Sequence, residues 1–254
     1  MSGFRAYCDF SELCEGGEIP VGGSVELNAA ESRHLCGSLR ARAGDIVDVF
    51  DAKGNAYRCE LAEASSKSAA LRVIGRLYPK SPDVEVYLAQ CLPKGPAFDE
   101  IIRQSVELGA SGIYPLMSCR SVVRIGRADA EKKSAKWFEK YVEAIKQSSN
   151  LSKFEMPLVS DLSDFLSNSG GFGVKLVASL RANASPIYKV LTSAGVDFAK
   201  SACVLIGPEG DLSDAEYDAA ERAGFIPVKL GDNVMKCDTA AACALSVLKA
   251  FWQK

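Results

Sequence analysis

The stretch Ala202-Cys203-Val204-Leu205-Ile206-Gly207-Pro208-Glu209-Gly210-Asp211-Leu212-Ser213 joins an unbroken apolar run to a glycine-bounded loop. An apolar run without alternation fits a strand buried on both faces, as in a parallel sheet. Ser213-Asp214-Ala215-Glu216 then fits a capping box, so a helix is predicted to start at Ser213. The unit is strand, loop, helix. Glycines in such a loop let a ligand approach backbone N–H groups closely, and ligands of open α/β sheets sit outside the carboxyl ends of the strands. An ordinary βα turn carries the same proline and glycine punctuation. The loop holds neither G-x-G-x-x-G nor G-x-x-x-x-G-K-[ST], so it is neither a dinucleotide fingerprint nor a Walker loop.

A second such unit follows in Val228-Lys229-Leu230-Gly231-Asp232-Asn233-Val234-Met235-Lys236-Cys237-Asp238-Thr239-Ala240. A strand is predicted to end at Leu230-Gly231, and a helix to begin near Thr239, capped by Asp238 or Thr239. That helix runs to Trp252 with Leu245, Leu248 and Phe251 inward. A capped helix start without a ligand would read the same way. Two such loops in tandem favour a shared pocket over either loop alone.

Further out, residues 174–178 and 225–230 are apolar runs with the same buried-strand character. Residues 84–89 read as a strand and 91–95 as a loop. A helix follows with Phe98, Ile101, Ile102, Ser105 and Val106 on one face and Gly109 as its stop. Residues 113–116 are a short strand, and 129–149 a long helix with Trp137, Tyr141, Ala144 and Ile145 at helical spacing. Strands alternating with helices predict an α/β domain with a parallel sheet covered on both faces. The first eighty or so residues differ. They show short alternating strands at 24–27, 45–50, 58–61 and 70–74, a turn at 51–54, and a helical turn around 34–40. Pro79-Lys80-Ser81-Pro82 marks a boundary. The predicted domains are a small β-barrel-like module at 1–79 and an α/β domain at 83–254.

With 30 Lys plus Arg against 32 Asp plus Glu, the chain has a net charge of −2 and is not basic as a whole. One segment is cationic. Between residues 119 and 146, Arg120, Arg124, Arg127, Lys132, Lys133, Lys136, Lys140 and Lys146 face only Asp129, Glu131, Glu139 and Glu143. This fits either a solvated helix face or a phosphate-binding patch. Nine cysteines, an odd number, with no apolar leader at the amino end predict reduced thiols and a cytoplasmic protein. The spacings Cys8–Cys14 and Cys237–Cys243 are not C-x-x-C. His34 is the only imidazole. A metal site is therefore not expected, and Ser-His-Asp chemistry is not favoured. No stretch approaches the ~20 apolar residues that span a bilayer.

The residues 206–210, Leu230-Gly231 and Thr239-Ala240 together resemble the SPOUT class of RNA methyltransferases. Within it, the chain is most similar to the bacterial family that methylates N3 of a uridine in 16S ribosomal RNA. The likeness extends to Leu92-Pro93-Lys94-Gly95, to residues 101–109, to Arg120-Ser121-Val122-Val123 and to residues 143–148. His34-Leu35, Leu39-Arg40 and Gly44-Asp45 resemble the family's PUA-like amino-terminal module. The resemblance implies a carboxy-terminal trefoil knot, a rare exception to unknotted topology, and a homodimer with the methyl donor near the interface. It further implies S-adenosylmethionine held by Ala178, Ser179, Leu180, Ile206, Gly207, Glu209, Gly210, Leu230, Gly231, Val234, Met235 and Thr239. Lys236 and Arg120 are the implied catalytic candidates, stabilising a uracil anion or gripping a flanking phosphate. Arg40, Lys94, Arg120 and Arg124 are the implied RNA contacts, with the small ribosomal subunit as partner and no metal.

Several positions depart from the family pattern. Asp211 and Leu212 stand where a second glycine and an aromatic are usual. Val234-Met235-Lys236 stands for Ile-Leu-Arg, Asp238 for Glu, and Asn150 for an arginine. A lysine cannot reproduce the planar fork of an arginine. Two other readings therefore stay open: a SPOUT methyltransferase with another RNA target, and a non-catalytic RNA-binding or ribosome-assembly protein.

Overall fold

The computed structural model describes residues 3–12, 18–193, 196 and 199–253, so Cys14 lies outside the described residues. The chain divides into two compact units, residues 1–81 with 145–153 and residues 82–144 with 154–254.

The first unit is built on strands β1 (Phe4–Tyr7), β2 (Ser24–Glu26), β3 (Ile46–Phe50), β4 (Ala56–Glu63) and β5 (Ala70–Leu77). They form one sheet in the order β1-β3-β4-β5-β2. β1 runs parallel to β3, and the other pairings are antiparallel. The sequence pattern did not indicate β1, because Ala6 is the only fully buried side chain among its four residues. Two register shifts between β4 and β5, one leaving Ile74 of β5 unpaired and one Ala62 of β4, bend the sheet over a core that includes Val25, Leu35, Val49, Leu61 and Leu71.

The helical segment of this unit starts earlier than the sequence suggested. Asn28 caps α1 (Ala29–Ser32) by accepting from the N–H groups of Ala30 and Glu31. A π-helical stretch, Arg33–Ser38, continues it, and the chain leaves through Arg40 at φ +59°. The Glu31 carboxylate, largely buried, accepts from the Tyr7 N–H at 3.0 Å and from Lys146 Nζ at 2.7 Å. Arg5 donates to the Lys146 carbonyl at 2.7 Å. Residues 145–153 thus pack with the first unit, although the sequence reading counted them with the second.

The second unit follows the predicted alternation. Its elements are β6 (Glu85–Cys91), α2 (Ala97–Glu107), β7 (Gly112–Met117), α3 (Arg127–Ser148), β8 (Ser160–Asp161), α4 (Leu162–Asn168), β9 (Val174–Ala178), β10 (Ser185–Pro186), α5 (Ile187–Leu191), β11 (Ser201–Ile206), α6 (Asp214–Arg222), β12 (Ile226–Lys229) and α7 (Cys237–Trp252). The sheet order is β10-β12-β9-β11-β6-β7-β8, and every described pairing is parallel.

Both faces of the central strands are covered. Tyr87, Ala89, Cys203 and Leu205 point to one side, where they meet Leu162, Phe165, Tyr217 and Ala220 from α4 and α6. The alternate residues Val86, Leu88, Ala202 and Val204 are equally buried on the other side, where α7 packs against β6 and β11. Gly109 ends α2 at φ +74°, as its position predicted. Three expectations need correction. β12 is not buried throughout: Val228 is, but Ile226 is 45% exposed, because only the two-residue β10 lies outside it. α7 begins at Cys237 rather than Thr239. At its far end Trp252 is buried and Phe251 only partly so. Among the described residues no helix is long and apolar enough to cross a membrane.

Candidate functional site

β9 lies between β12 and β11, and all three are parallel, so their carboxyl ends emerge at one edge of the sheet. A cavity of about 510 Å³ opens there, within the ~300–1,000 Å³ range of small-molecule sites. Ala178, Ser179 and Leu180 line it after β9, and Ile206, Gly207 and Glu209 after β11. Leu230, Gly231, Val234 and Met235 line it after β12. The two glycine loops therefore do share one pocket. Gly210 and Thr239, predicted with them, do not line it. A Cβ on Gly210 would sit 3.4 Å from Cβ of Arg120, behind the loop, and Thr239 is exposed on α7.

The loop after β11 is held from several sides. A Cβ on Gly207 would sit 3.3 Å from Cγ and the backbone nitrogen of Leu212, so a larger residue would push Leu212 by a few tenths of an ångström where the loop folds back. Pairing of Ile206 with Gln90 brings the β6 loop alongside, and the Lys94 N–H donates to Glu209 Oε1 at 2.8 Å. Asp211 stands at φ +60°, in the left-handed region that favours glycine. Its Oδ1 accepts from the Leu212 N–H at 2.8 Å and from the Tyr217 hydroxyl at 2.7 Å. Tyr217 lines the cavity and is 2% exposed. Burial, then its hydrogen bond to the Asp211 carboxylate, pushes the phenol well above its ordinary pKa and keeps it a donor. Leu212, where the family has an aromatic, is buried in the core beneath.

The far wall is tied on as well. The Ser179 N–H donates to the Val228 carbonyl at 2.9 Å. Cys237 Sγ donates to the Gly207 carbonyl at 3.5 Å, linking the second loop to the first. Burial, then the charge of Glu209, pushes the Cys237 thiol up to about 11.

The capping box at Ser213 forms as predicted: Ser213 Oγ accepts from the Glu216 N–H, and Glu216 accepts from the Ser213 N–H at 2.9 Å. The same carboxylate accepts from the Cys119 N–H at 2.7 Å and the Cys119 thiol at 3.0 Å. Burial raises the pKa of Glu216, but these hydrogen bonds outweigh it and leave the group below its ordinary value. Arg120, on the same post-β7 loop, donates to the carbonyls of Gly210 at 3.1 Å and Leu212 at 3.3 Å.

The remaining predicted residues divide by position. Lys236 lines the cavity, is exposed and occupies the cap position of α7, but makes no capping hydrogen bond. Neither Asp238 nor Thr239 caps that helix; Asp238 Oδ1 accepts from the adjacent Thr239 N–H. Arg120 lies outside the cavity, against the loop. Lys94 and Arg124 are exposed, with the latter donating to the Cys119 carbonyl at 2.8 Å. Arg40 is exposed in the first unit, and Lys132, Lys133 and Lys136 are exposed on α3. The sequence reading missed Tyr217 and Cys237 as cavity residues, because nothing in their spacing separates them from ordinary helix positions. Among the described residues no group of three or more His, Cys, Asp or Glu is arranged to hold a metal.

Comparison with known proteins adds chemistry to this geometry. Residues 79–249 match the model of an RNA methyltransferase domain, and residues 27–74 that of an RNA methyltransferase PUA domain. The chain is 28% identical over 241 residues to ribosomal RNA small subunit methyltransferase E of Bacillus subtilis, covering 91% of each protein. It is 27% identical over 246 residues to the protein of the same name from Mycobacterium tuberculosis, covering 92% of this chain and 90% of that one. Among solved structures, a Legionella pneumophila methyltransferase in complex with the cofactor SAM superposes with a TM-score of 0.85 at 25% identity, over 98% of both chains. The ribosomal RNA small subunit methyltransferase E of Neisseria gonorrhoeae, bound to S-adenosyl methionine, gives 0.84 at 25% identity over 98% of both.

Proposed function

This chain belongs to the RNA methyltransferase family, and on that premise we propose that it moves a methyl group from S-adenosylmethionine to N3 of a uridine in 16S ribosomal RNA of the small subunit. The observation that carries this reading is the single cavity at the carboxyl ends of β9, β11 and β12, walled by both glycine loops. The residues present fit the donor. Gly207 and Gly231 leave room where a Cβ would come within 3.3 Å of Leu212 and 3.2 Å of Met235, and Glu209 and Asp232 offer carboxylates to a cationic ligand.

When bound, S-adenosylmethionine supplies an electrophilic methyl on a sulfonium centre. The backbone of the two loops orients it, and orientation is a large part of what such a site contributes. Uridine N3 is a weak acid and must give up its proton for transfer. Lys236, charged and exposed on the cavity wall, is placed to stabilise negative charge on the uracil oxygens. Arg120 acts at one remove by bracing the loop through Gly210 and Leu212. A paired target base must leave its stack to reach the cavity.

Lys94, Arg124 and the exposed lysines of α3 take phosphates, as does Arg40 on the PUA unit. We place the protein in the cytoplasm, as a homodimer, and read the segment from β9 to α7 as the trefoil knot. The placing of β12 and β11 on either side of β9, with α7 packed against β11, supports that reading.

The test is incubation with S-adenosylmethionine labelled in the methyl group and 30S particles lacking the modification, followed by digestion to nucleosides. Label in 3-methyluridine of 16S RNA is expected. Label in another nucleoside would reassign the target, and absence of label in any RNA would overturn the enzyme reading.

A further inference from the structure

Asp211 occupies a position that strains any ordinary side chain. At φ +60° a residue with a Cβ is disfavoured unless its own side chain compensates locally, as Asp and Asn can. Here the compensation is visible and directed. Both described hydrogen bonds of the Asp211 carboxylate fall on Oδ1: one from the next N–H, of Leu212, and one from the Tyr217 hydroxyl at 2.7 Å. Tyr217 comes from α6, and its hydroxyl also lies 3.3 Å from the Ala178 carbonyl, at the end of β9. One buried phenol therefore touches the loop after β11 and the end of β9, two of the three walls of the cavity it lines. Its ring is held in turn: the Arg181 guanidinium lies 5.5 Å from the ring centroid, and Arg181 donates to Asp218 at 2.9 Å.

We propose that Asp211 and Tyr217 form a coupled positioning pair that presets the donor pocket, the tyrosine hydroxyl taking over the conformational role of a glycine at 211. The inference rests on reading the cavity as the S-adenosylmethionine site. The Tyr217 hydroxyl matters to donor binding chiefly because residue 211 carries a side chain in a left-handed turn. Remove that side chain and the turn no longer needs the phenol. Loops held ready lose less freedom on binding, so the effect falls on donor affinity.

A double-mutant cycle tests this in the full-length protein, with S-adenosylmethionine and S-adenosylhomocysteine titrated calorimetrically at a temperature where melting curves show every variant folded. Tyr217→Phe in the natural background should weaken both ligands by roughly five- to tenfold. Tyr217→Phe added to Asp211→Gly should change affinity by less than about twofold relative to Asp211→Gly alone. Asp211→Asn, which keeps an acceptor and tolerates the turn, should stay within about twofold of the natural protein. In turnover, Tyr217→Phe should raise KM for the donor and leave kcat near its starting value. An equal penalty for Tyr217→Phe in both backgrounds, or a penalty seen only in melting temperature, would overturn the pairing. A natural protein that binds neither ligand would instead overturn the functional reading, and the pairing with it.

Discussion

The backbone N–H of Lys94 and the carboxylate of Glu209, 115 positions apart in the chain, are joined by a hydrogen bond of 2.8 Å. The bond exists because β6 and β11 are adjacent parallel strands paired as far as Gln90 and Ile206, so the loops that follow them start nearly side by side. It ties a cavity-lining acid to the Lys94 backbone and leaves Lys94 exposed. Glu209→Ala removes the acceptor and frees the Lys94 loop. Loss of one charge-assisted hydrogen bond is worth roughly 1.5–3 kcal/mol where it is desolvated, and less at this exposed site. The expected result is a rise of about threefold to tenfold in KM for RNA, measured with 30S particles, together with weaker donor binding from the lost cavity carboxylate, with the fold intact by circular dichroism.

Arg120 grips two carbonyls with one guanidinium nitrogen. Arg120→Lys keeps the charge but loses the rigid planar group that fixes this nitrogen between the two carbonyls. We expect kcat/KM to drop roughly tenfold for Arg120→Lys and more for Arg120→Ala, at about 1.4 kcal/mol per tenfold. Equal activity of natural protein and lysine variant would show that charge alone matters there.

Lys236 is predicted to act on the reacting base rather than the donor. Lys236→Ala should cut kcat by about 10²-fold, a typical loss for one oxyanion-stabilising group, while calorimetric affinity for S-adenosylhomocysteine holds. A parallel loss of donor affinity would assign the residue to binding instead.

The exposed α3 lysines predict a salt effect. Replacing Lys132, Lys133 and Lys136 by Gln should weaken RNA binding and flatten its salt dependence by about 0.7–0.9 for each phosphate no longer neutralised. Filter binding at several salt concentrations reads both, and an unchanged slope would mean this face is merely solvated.

Glu216 gives a pH prediction with a definite sign. Its folded pKa lies below the ordinary glutamate value, so its stabilising contribution is present above that value, ~4.3. The contribution is lost as pH falls through the folded value. Thermal melts from pH 7 down to 3 should show a steeper loss of Tm for the natural protein than for Glu216→Gln. Cys237 gives another. A thiol pushed up to about 11 is protonated at pH 8 and a poor nucleophile. Peptide mapping after iodoacetamide should find exposed Cys119 alkylated first, and Cys237 late and protected by S-adenosylhomocysteine.

Much of this architecture was legible in the residues. The strand 202–206 announced itself as an apolar run because both its faces are covered, and 174–178 was legible through Val174, Leu176 and Val177 although the half-buried Lys175 interrupts it. Ser213 and Glu216 announced the helix because a capping box is local chemistry. Pattern failed where tertiary context decides. β1 has no alternation because its place is set by pairing with β3. α7 starts at Cys237, one residue before Asp238 and two before Thr239, which looked like caps, because the buried Cys237 is drawn into the helix against Gly207. Tyr217 was invisible as a cavity residue because its role depends on Asp211, six positions back, and on Ala178 in another strand.

The ion pair of Lys146 with Glu31 bears on how the molecule can be dissected. Residues 145–153 belong to the amino-terminal unit although the chain reaches them only after leaving it at Ser81. A truncation starting at Pro82 would leave that excursion without its host, with Lys146 stripped of its counter-ion. Isolating the catalytic half as an autonomous fragment therefore requires two cuts and a splice across the gap, and a fusion or swap of the PUA module must carry the later segment along with it.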